Sequence, residues 1–103
     1  MRLNANQINT YVGGRELVAP ADEHRIITGL AWDSREVQEG FVYVALPGAR
    51  VDGHDFVCQA LQSGAGLVLV SHELAQDAYD LAREKGTGVF QVADTYAAVT
   101  DLA

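Results

Sequence analysis

The sequence is poor in several residue types, and each shortage excludes a class of protein. One cysteine among 103 residues excludes an internal disulfide and any multi-cysteine zinc site. Only 7 basic residues stand against 14 acidic ones, and a net charge of −7 excludes a nucleic-acid binder that relies on a basic face. No apolar run approaches the roughly 18 residues of a membrane span, and no signal-peptide core follows Met1. We therefore expect no membrane insertion and a cytoplasmic location.

The remaining composition is that of a folded domain. Hydrophobic residues make up 49% of the chain and charged residues 20%, which is too apolar for disorder. Because domains usually contain about 100–200 residues, we expect residues 1–103 to form a single domain.

Hydrophobic patterning predicts an α/β fold with a small mixed, mainly parallel sheet flanked by helices. Apolar runs predict strands, and helical spacing predicts the segments between them. The predicted strands are 26–32, 41–46, 66–70 and 88–92, with a short edge strand near 16–18; the predicted helices are 4–12, 56–61, 74–82 and 96–103. Alternation of strand and helix favours parallel pairing. Only the link between the strands at 26–32 and 41–46 is too short for a crossover helix, so we expect those two strands to be antiparallel.

One candidate ligand loop is Asp33-Ser34-Arg35, directly after a predicted strand. Ligands of open α/β sheets collect beyond the carboxyl ends of the strands. A carboxylate, a hydroxyl and a guanidinium in three residues suit a ligand with both amide edges and phosphates. The alternative is structural: Asp33 or Ser34 caps a turn, and Arg35 pairs with a nearby glutamate on the surface.

The second candidate loop runs from Leu46 to Asp55, between a strand and a helix. Gly48 and Gly53 allow close backbone approach, and a helix start beside Arg50 and His54 could hold a diphosphate. The alternative here is that Asp52 is an N-cap and that His54 lies on the surface.

Several familiar motifs are absent. The chain has no G-x-x-x-x-G-K-[ST] loop, no G-x-G-x-x-G and no G-x-S-x-G elbow. His24, His54 and His72 share no ligand spacing, so we expect no metal site. The segment before the last helix, which contains Asp94 and Thr95, predicts a helix cap and nothing else.

The candidate loops belong to a longer ordered pattern. It consists of D-S-R-x-V-x-x-G at 33–40, an apolar strand ending in P-G at 47–48, D-G-H-x-F at 52–56 and G-A at 64–65. This string resembles the N-terminal domain of the Mur ligases, the ATP-dependent enzymes that extend the peptide of the peptidoglycan precursor. Within the family it looks closest to the branch that adds D-alanyl-D-alanine. The branch that adds the third peptide residue shares D-S-R and D-G-H and stays open as an alternative.

The resemblance implies that this domain binds the UDP end of a UDP-N-acetylmuramoyl-peptide and carries no catalytic residue. The implied substrate-binding residues are Ser34, Arg35, Gly48, Arg50, Asp52, Gly53 and His54. It implies no cofactor in this domain, because ATP and magnesium belong to a central domain of the parent enzyme. The other partners it implies are the remaining domains of the same ligase. Because the last predicted helix runs to the end of the sequence with no cap after it, we also expect this chain to be a piece of a longer one.

Two other functions remain as alternatives. A non-enzymatic α/β signalling or interaction module needs a lysine at a strand end if it is receiver-like, and the only lysine, Lys85, falls in a predicted helix terminus. A small stand-alone hydrolase needs a nucleophile and a base, and the sequence offers no such motif.

Overall fold

The computed structural model describes residues 1–103, in which strands and helices alternate along most of the chain. The helices are α1 (Ala5–Val12), α2 (Val57–Gln62), α3 (Gln76–Lys85) and α4 (Thr95–Leu102), and the strands are β1 (Arg15–Val18), β2 (Gly29–Ala31), β3 (Phe41–Val44), β4 (Leu67–Val70) and β5 (Gly88–Gln91). Two 3-10 helices, Ser34–Glu36 and Gly53–Phe56, lie in the connections after β2 and β3.

The five strands form one mixed, mainly parallel sheet, as the sequence predicts. Its order is β1-β5-β4-β3-β2. β2, β3, β4 and β5 run parallel to one another, and β1 joins the edge at β5 in the antiparallel direction.

The expected antiparallel pairing of the strands at 26–32 and 41–46 is wrong. β2 pairs with β3 in parallel, with Gly29 opposite Phe41 and Ala31 opposite Tyr43. The connection spans residues 32–40 and contains only one turn of 3-10 helix. That turn is enough, because the chain packs Ser34 and Val37 into the interior and returns to the start of β3 without a full helix. Parallel pairing puts the ends of β2 and β3 at the same edge of the sheet.

Both faces of the sheet are covered, which explains the continuous apolar runs of its central strands. Val68 and Val70 of β4 face a core that includes residues of α2 and α3. Leu67 and Leu69 face a second core, formed with residues of α1 and α4. All four side chains are fully buried.

Two of the helices, α1 and α4, begin at side-chain caps, and the sequence predicts the cap of α4. The Asn4 side chain accepts from the Gln7 N–H and the Gln7 side chain accepts from the Asn4 N–H, each at 2.9 Å. The Asp94 carboxylate accepts from the backbone N–H groups of Tyr96 and Ala97 at the start of α4. No helix has both the length and the apolar character needed to cross a bilayer.

We expect Val68→Ala to lower the free energy of unfolding by about 1–3 kcal/mol, because it removes two buried methyl groups from the centre of the sheet and leaves a cavity. Val51→Ala is the matched control, since Val51 is 63% exposed and should change stability by less than about 0.5 kcal/mol. Urea unfolding of both variants measures the difference. Equal losses would contradict the assignment of β4 to the centre of the core.

Candidate functional site

The main cavity lies at the edge where β2 and β3 end. Its volume is about 570 Å³. Its walls come from three parts of the chain: residues 32–35 after β2; residues 46–48, 51, 53, 56 and 59 after β3; and Tyr96 at the start of α4, with Tyr43 of β3 completing the lining. The two loops singled out in the sequence therefore meet in one concave site.

The Asp33-Ser34-Arg35 segment forms one lip of this cavity. The Asp33 carboxylate caps the first 3-10 helix by accepting from the Arg35 N–H, and it also accepts from Nε (3.1 Å) and from one Nη (2.7 Å) of Arg35. These hydrogen bonds lower the pKa of Asp33 to about 2, and those from the Arg35 side chain have a larger effect than the one from its backbone. They also raise the pKa of Arg35. The turn cap is thus present, and the Arg35 partner is Asp33 rather than a glutamate.

Ser34 is buried behind that lip. Its hydroxyl donates to Oε1 of Gln59 in α2 at 3.2 Å, and both residues line the cavity. This bond joins the loop after β2 to the helix that follows β3.

The loop after β3 is folded tightly on itself. The Gly53 N–H donates to the Leu46 carbonyl at 2.8 Å, and the buried Tyr43 hydroxyl donates to the Gly53 carbonyl at 2.8 Å. A Cβ on Gly53 would lie 2.7 Å from the Leu46 nitrogen, and one on Gly48 would collide with the Val51 carbonyl. The two glycines are therefore required by the close approach of the loop's own backbone.

Burial of Tyr43 beneath this loop raises its pKa to about 12, with the Asp33 and Asp52 charges adding to the effect. The phenol therefore stays protonated, as its hydrogen bond to the Gly53 carbonyl requires.

The other predicted site residues lie at or behind the wall. Arg50 is exposed on the loop between Gly48 and Val51 and does not itself line the cavity. Asp52 caps the second 3-10 helix, as the structural alternative predicts. The same alternative is wrong about His54, whose side chain is only 2% exposed.

His54 is the centre of a hydrogen-bonded cluster behind the cavity wall. Its Nδ1 lies 2.6 Å from Oδ1 of Asp52, and its Nε2 accepts from the Ser71 N–H at 2.9 Å. His72 stacks on the His54 ring with centroids 3.6 Å apart, and its Nε2 lies 2.9 Å from Oδ2 of Asp52. The cluster joins the loop after β3 to the loop after β4.

The partners of each ring fix its protonation. The Ser71 N–H occupies Nε2 of His54, so the proton of that neutral ring is on Nδ1. Burial lowers the pKa of His54. Both nitrogens of His72 instead face acceptors, the Glu73 carbonyl and Asp52. These bonds raise the pKa of His72, with the larger effect from the carbonyl.

Asp52 is the acceptor that the cluster shares. Burial by itself would raise its pKa, but hydrogen bonds from the backbone and ring of His54 and from His72 hold that pKa at about 2.

This arrangement fits neither a metal ion nor a nucleophile. One ligand atom each from Asp52, His54 and His72 lies within 4.8 Å of the other two. A neutral His54 bound to a metal through Nδ1 would carry its proton on Nε2, pointing at the Ser71 N–H, whereas metal-bound histidines direct that second proton to an acceptor. Oγ of Ser71 lies 3.4 Å from Nε2. It cannot pass a proton to an atom whose lone pair already accepts a backbone hydrogen bond.

Cys58 lies in a second, smaller cavity of about 220 Å³, together with His72 and Asp77. Burial, followed by the charge of Asp77, raises the pKa of the Cys58 thiol. The thiol is therefore disfavoured as a nucleophile.

Sequence reasoning missed the aromatic and amide part of the cavity. Trp32, Phe56, Gln59 and Tyr96 all line it. The Tyr96 hydroxyl donates to the Pro47 carbonyl at 2.6 Å, which ties α4 to the loop after β3. Trp32 had one available signal, its place directly before Asp33 at a strand end. Tyr96 had none beyond following a helix cap.

Comparison with known proteins gives consistent results for most of the chain. Residues 26–102 match the family model described as "Mur ligase family, catalytic domain". The UDP-N-acetylmuramoyl-tripeptide--D-alanyl-D-alanine ligase of Mycobacterium bovis is 42% identical over 74 residues, which cover 69% of this chain and 14% of that protein. The UDP-N-acetylmuramoyl-L-alanyl-D-glutamate--2,6-diaminopimelate ligase of Oceanobacillus iheyensis is 39% identical over 77 residues, covering 75% of this chain and 14% of that protein.

A solved structure extends the likeness to the N-terminal helix and strand. The crystal structure of MurF from Acinetobacter baumannii matches with a TM-score of 0.76 and 25% identity, over 99% of this chain and 20% of that one. The chain spans only about one seventh of the length of the two ligases from Mycobacterium bovis and Oceanobacillus iheyensis.

We expect NMR titration of the histidine rings to place the pKa of His72 above its ordinary value of 6.5 and that of His54 below it. Since the folded state raises the pKa of His72, the stability that this residue contributes is complete below its unfolded pKa and is lost as pH rises through the folded pKa. The difference in unfolding free energy between the wild type and His72→Gln should therefore be larger at about pH 5.5 than at about pH 8.5.

Asp52→Asn is the control for this titration, because it keeps an oxygen acceptor and removes the charge. It should lower the pKa of His72. An unchanged His72 pKa in that variant, or a pH-independent stability difference, would contradict the described cluster.

We expect Gly53→Ala to lower the free energy of unfolding by about 1–3 kcal/mol, because the added methyl group forces the Leu46 backbone away. Ala49→Gly, on the exposed part of the same loop, controls for loop entropy and should cost less than about 1 kcal/mol. Thermal unfolding measures both changes. A Gly53→Ala protein as stable as the wild type would show that the loop does not have this closely packed form.

Proposed function

Because the chain belongs to the Mur ligase family, we propose that it is the substrate-binding domain of an ATP-dependent amide ligase and that its cavity holds the UDP end of a UDP-N-acetylmuramoyl-peptide. One observation carries the proposal: the D-S-R segment at 33–35 and the P-G and D-G-H segments at 47–48 and 52–54, which are far apart in sequence, line or support a single cavity. At about 570 Å³ the cavity has the size of a small-molecule site.

Arg35 is the residue best placed to bind a phosphate. Its side chain is 81% exposed at the lip of the cavity. Asp33 holds it through Nε and one Nη, which leaves further N–H donors for a phosphate oxygen. Arg50, exposed on the opposite loop, supplies a second cation. Because Arg50 lies outside the cavity lining, Arg35 is the cation on which diphosphate binding by a chain of net charge −7 mainly depends.

The D-G-H segment has a divided role in this proposal. Gly53 lines the cavity, whereas Asp52 and His54 lie behind it. We assign Asp52 and His54, which flank Gly53 in the chain, as positioning residues that fix the loop carrying Gly53. Ser34 lines the wall directly and orients Gln59.

ATP and magnesium fall outside the chemistry of this chain. A phosphate-binding P-loop needs a glycine-rich segment that ends in Lys-Ser or Lys-Thr. Lys85, the only lysine, ends α3 next to Gly86. Lys85 and Gly86 therefore do not form a P-loop, and we assign the ATP-dependent activation step to other domains of the parent ligase. Those domains are then the natural partners of this one.

Within the family we propose the D-alanyl-D-alanine-adding branch. The support is the structural match over 99% of the chain, which includes α1 and β1 before the region of the family model. The similar identity to a diaminopimelate-adding ligase keeps that branch as the second candidate. The two branches differ in the amino acids they join, so the proposed UDP site is common to both.

Titration with UDP, followed by amide NMR shifts, tests the proposed site. We expect saturable shifts at Ser34, Arg35, Gly48 and Gly53. No saturable shift with UDP, or shifts confined to the second cavity around Cys58, would overturn the proposal.

Arg35→Ala should weaken UDP binding by about 10-fold or more, because a charge-assisted hydrogen bond contributes about 1.5–3 kcal/mol. Arg83→Ala is the matched control, since Arg83 is an exposed arginine that lies on α3 and pairs with Asp80. Calorimetric titration compares the two. Equal affinity of both variants would exclude Arg35 from the site.

A further inference from the structure

Trp32 is an exposed aromatic side chain at the start of the cavity wall. It is the only tryptophan in the chain, it follows directly on β2, and it is 53% exposed while lining the cavity. Tryptophan side chains are mostly buried in folded proteins. An indole that is left this exposed inside a concave site therefore points to a ligand.

The backbone on either side of Trp32 is held firmly. Ala31 is buried within the parallel pairing of β2 and β3. Asp33 caps the next turn and fixes Arg35. A side chain between two such anchors is presented in a defined position, which favours recognition of a rigid group.

Phe56 adds a second apolar ring to the same cavity. It comes from the second 3-10 helix, on the other loop, and it is also partly exposed. Tyr96, a third aromatic residue, is committed through its hydroxyl to the Pro47 carbonyl. The Trp32 indole has no comparable structural task.

We propose that Trp32 is the stacking platform for the nucleobase of the ligand, a proposal that rests on the proposed UDP site. Among the parts of a UDP-linked peptide, only the base presents a flat face; the diphosphate and peptide are anionic, and the sugars carry hydroxyl groups around their rings. Stacking of a base on an aromatic side chain contributes about 1–3 kcal/mol. Trp32 therefore determines affinity for the base, while Arg35 binds phosphate.

The single tryptophan provides a direct readout. UDP should quench the fluorescence of Trp32 saturably, whereas ribose 5-phosphate and pyrophosphate, which have no base, should not. Trp32→Ala should weaken UDP binding by about 5- to 150-fold, the factor that corresponds to the energy of stacking. Trp32→Phe keeps an aromatic face and should retain most of the affinity, and Trp32→Leu should not.

Calorimetry and amide shifts at Gly53 provide a second measure of UDP binding that does not depend on Trp32. Tyr11→Ala, which removes an exposed aromatic residue from α1, is the control and should bind UDP normally. Retained amide dispersion in Trp32→Phe and Trp32→Leu shows that the variants are folded.

The outcomes separate the two proposals. Wild-type affinity for UDP in a folded Trp32→Leu variant would overturn the stacking role and leave the UDP site standing. Equal losses of affinity for UDP and for ribose 5-phosphate would also overturn it, because Trp32 would then only shape the cavity. Failure of UDP to bind the wild-type chain would overturn both proposals.

Discussion

Parallel pairing of β2 with β3 is the constraint on which the candidate site depends. It brings the carboxyl ends of both strands to one edge, so that the Asp33-Ser34-Arg35 turn faces the loop from Leu46 to Gly53. In an antiparallel pair the end of β2 would lie beside the start of β3, and the two segments would be at opposite edges. Burial of both sheet faces is typical of parallel sheets, and the central strands accordingly carry no polar face.

The site is then shaped by hydrogen bonds that the loops make among themselves. The Tyr43 hydroxyl donates to the Gly53 carbonyl, and Asp52 and His54, on either side of Gly53, link the loop after β3 to the loop after β4. The lone pair of His54 and both oxygens of Asp52 take part in these links, so the cluster joins the two loops behind the cavity wall. The groups that remain free for a ligand are the N–H donors of Arg35 and the exposed face of the Trp32 indole.

Much of this could be predicted from sequence, where the information is local. The apolar run at 66–70 predicts a buried strand, and the segment with Asp94 and Thr95 predicts a helix cap, both of which the structure confirms. The fold class and the family are confirmed as well. The direction of β2 against β3 was predicted wrongly, because link length alone does not show that a 3-10 turn packed on α2 can complete the crossover.

Residues whose environment is set at long range were beyond such reasoning. Buried His54 looks like a surface residue of a helix start until Ser71 and His72, from a loop about 20 residues later, are placed beside it.

The central claim is that the cavity at this edge holds the UDP end of the substrate, and a crystal structure of the chain with UDP tests it most directly. We expect diphosphate density beside Arg35 and the backbone of Gly48; UDP density elsewhere on the chain would contradict that claim.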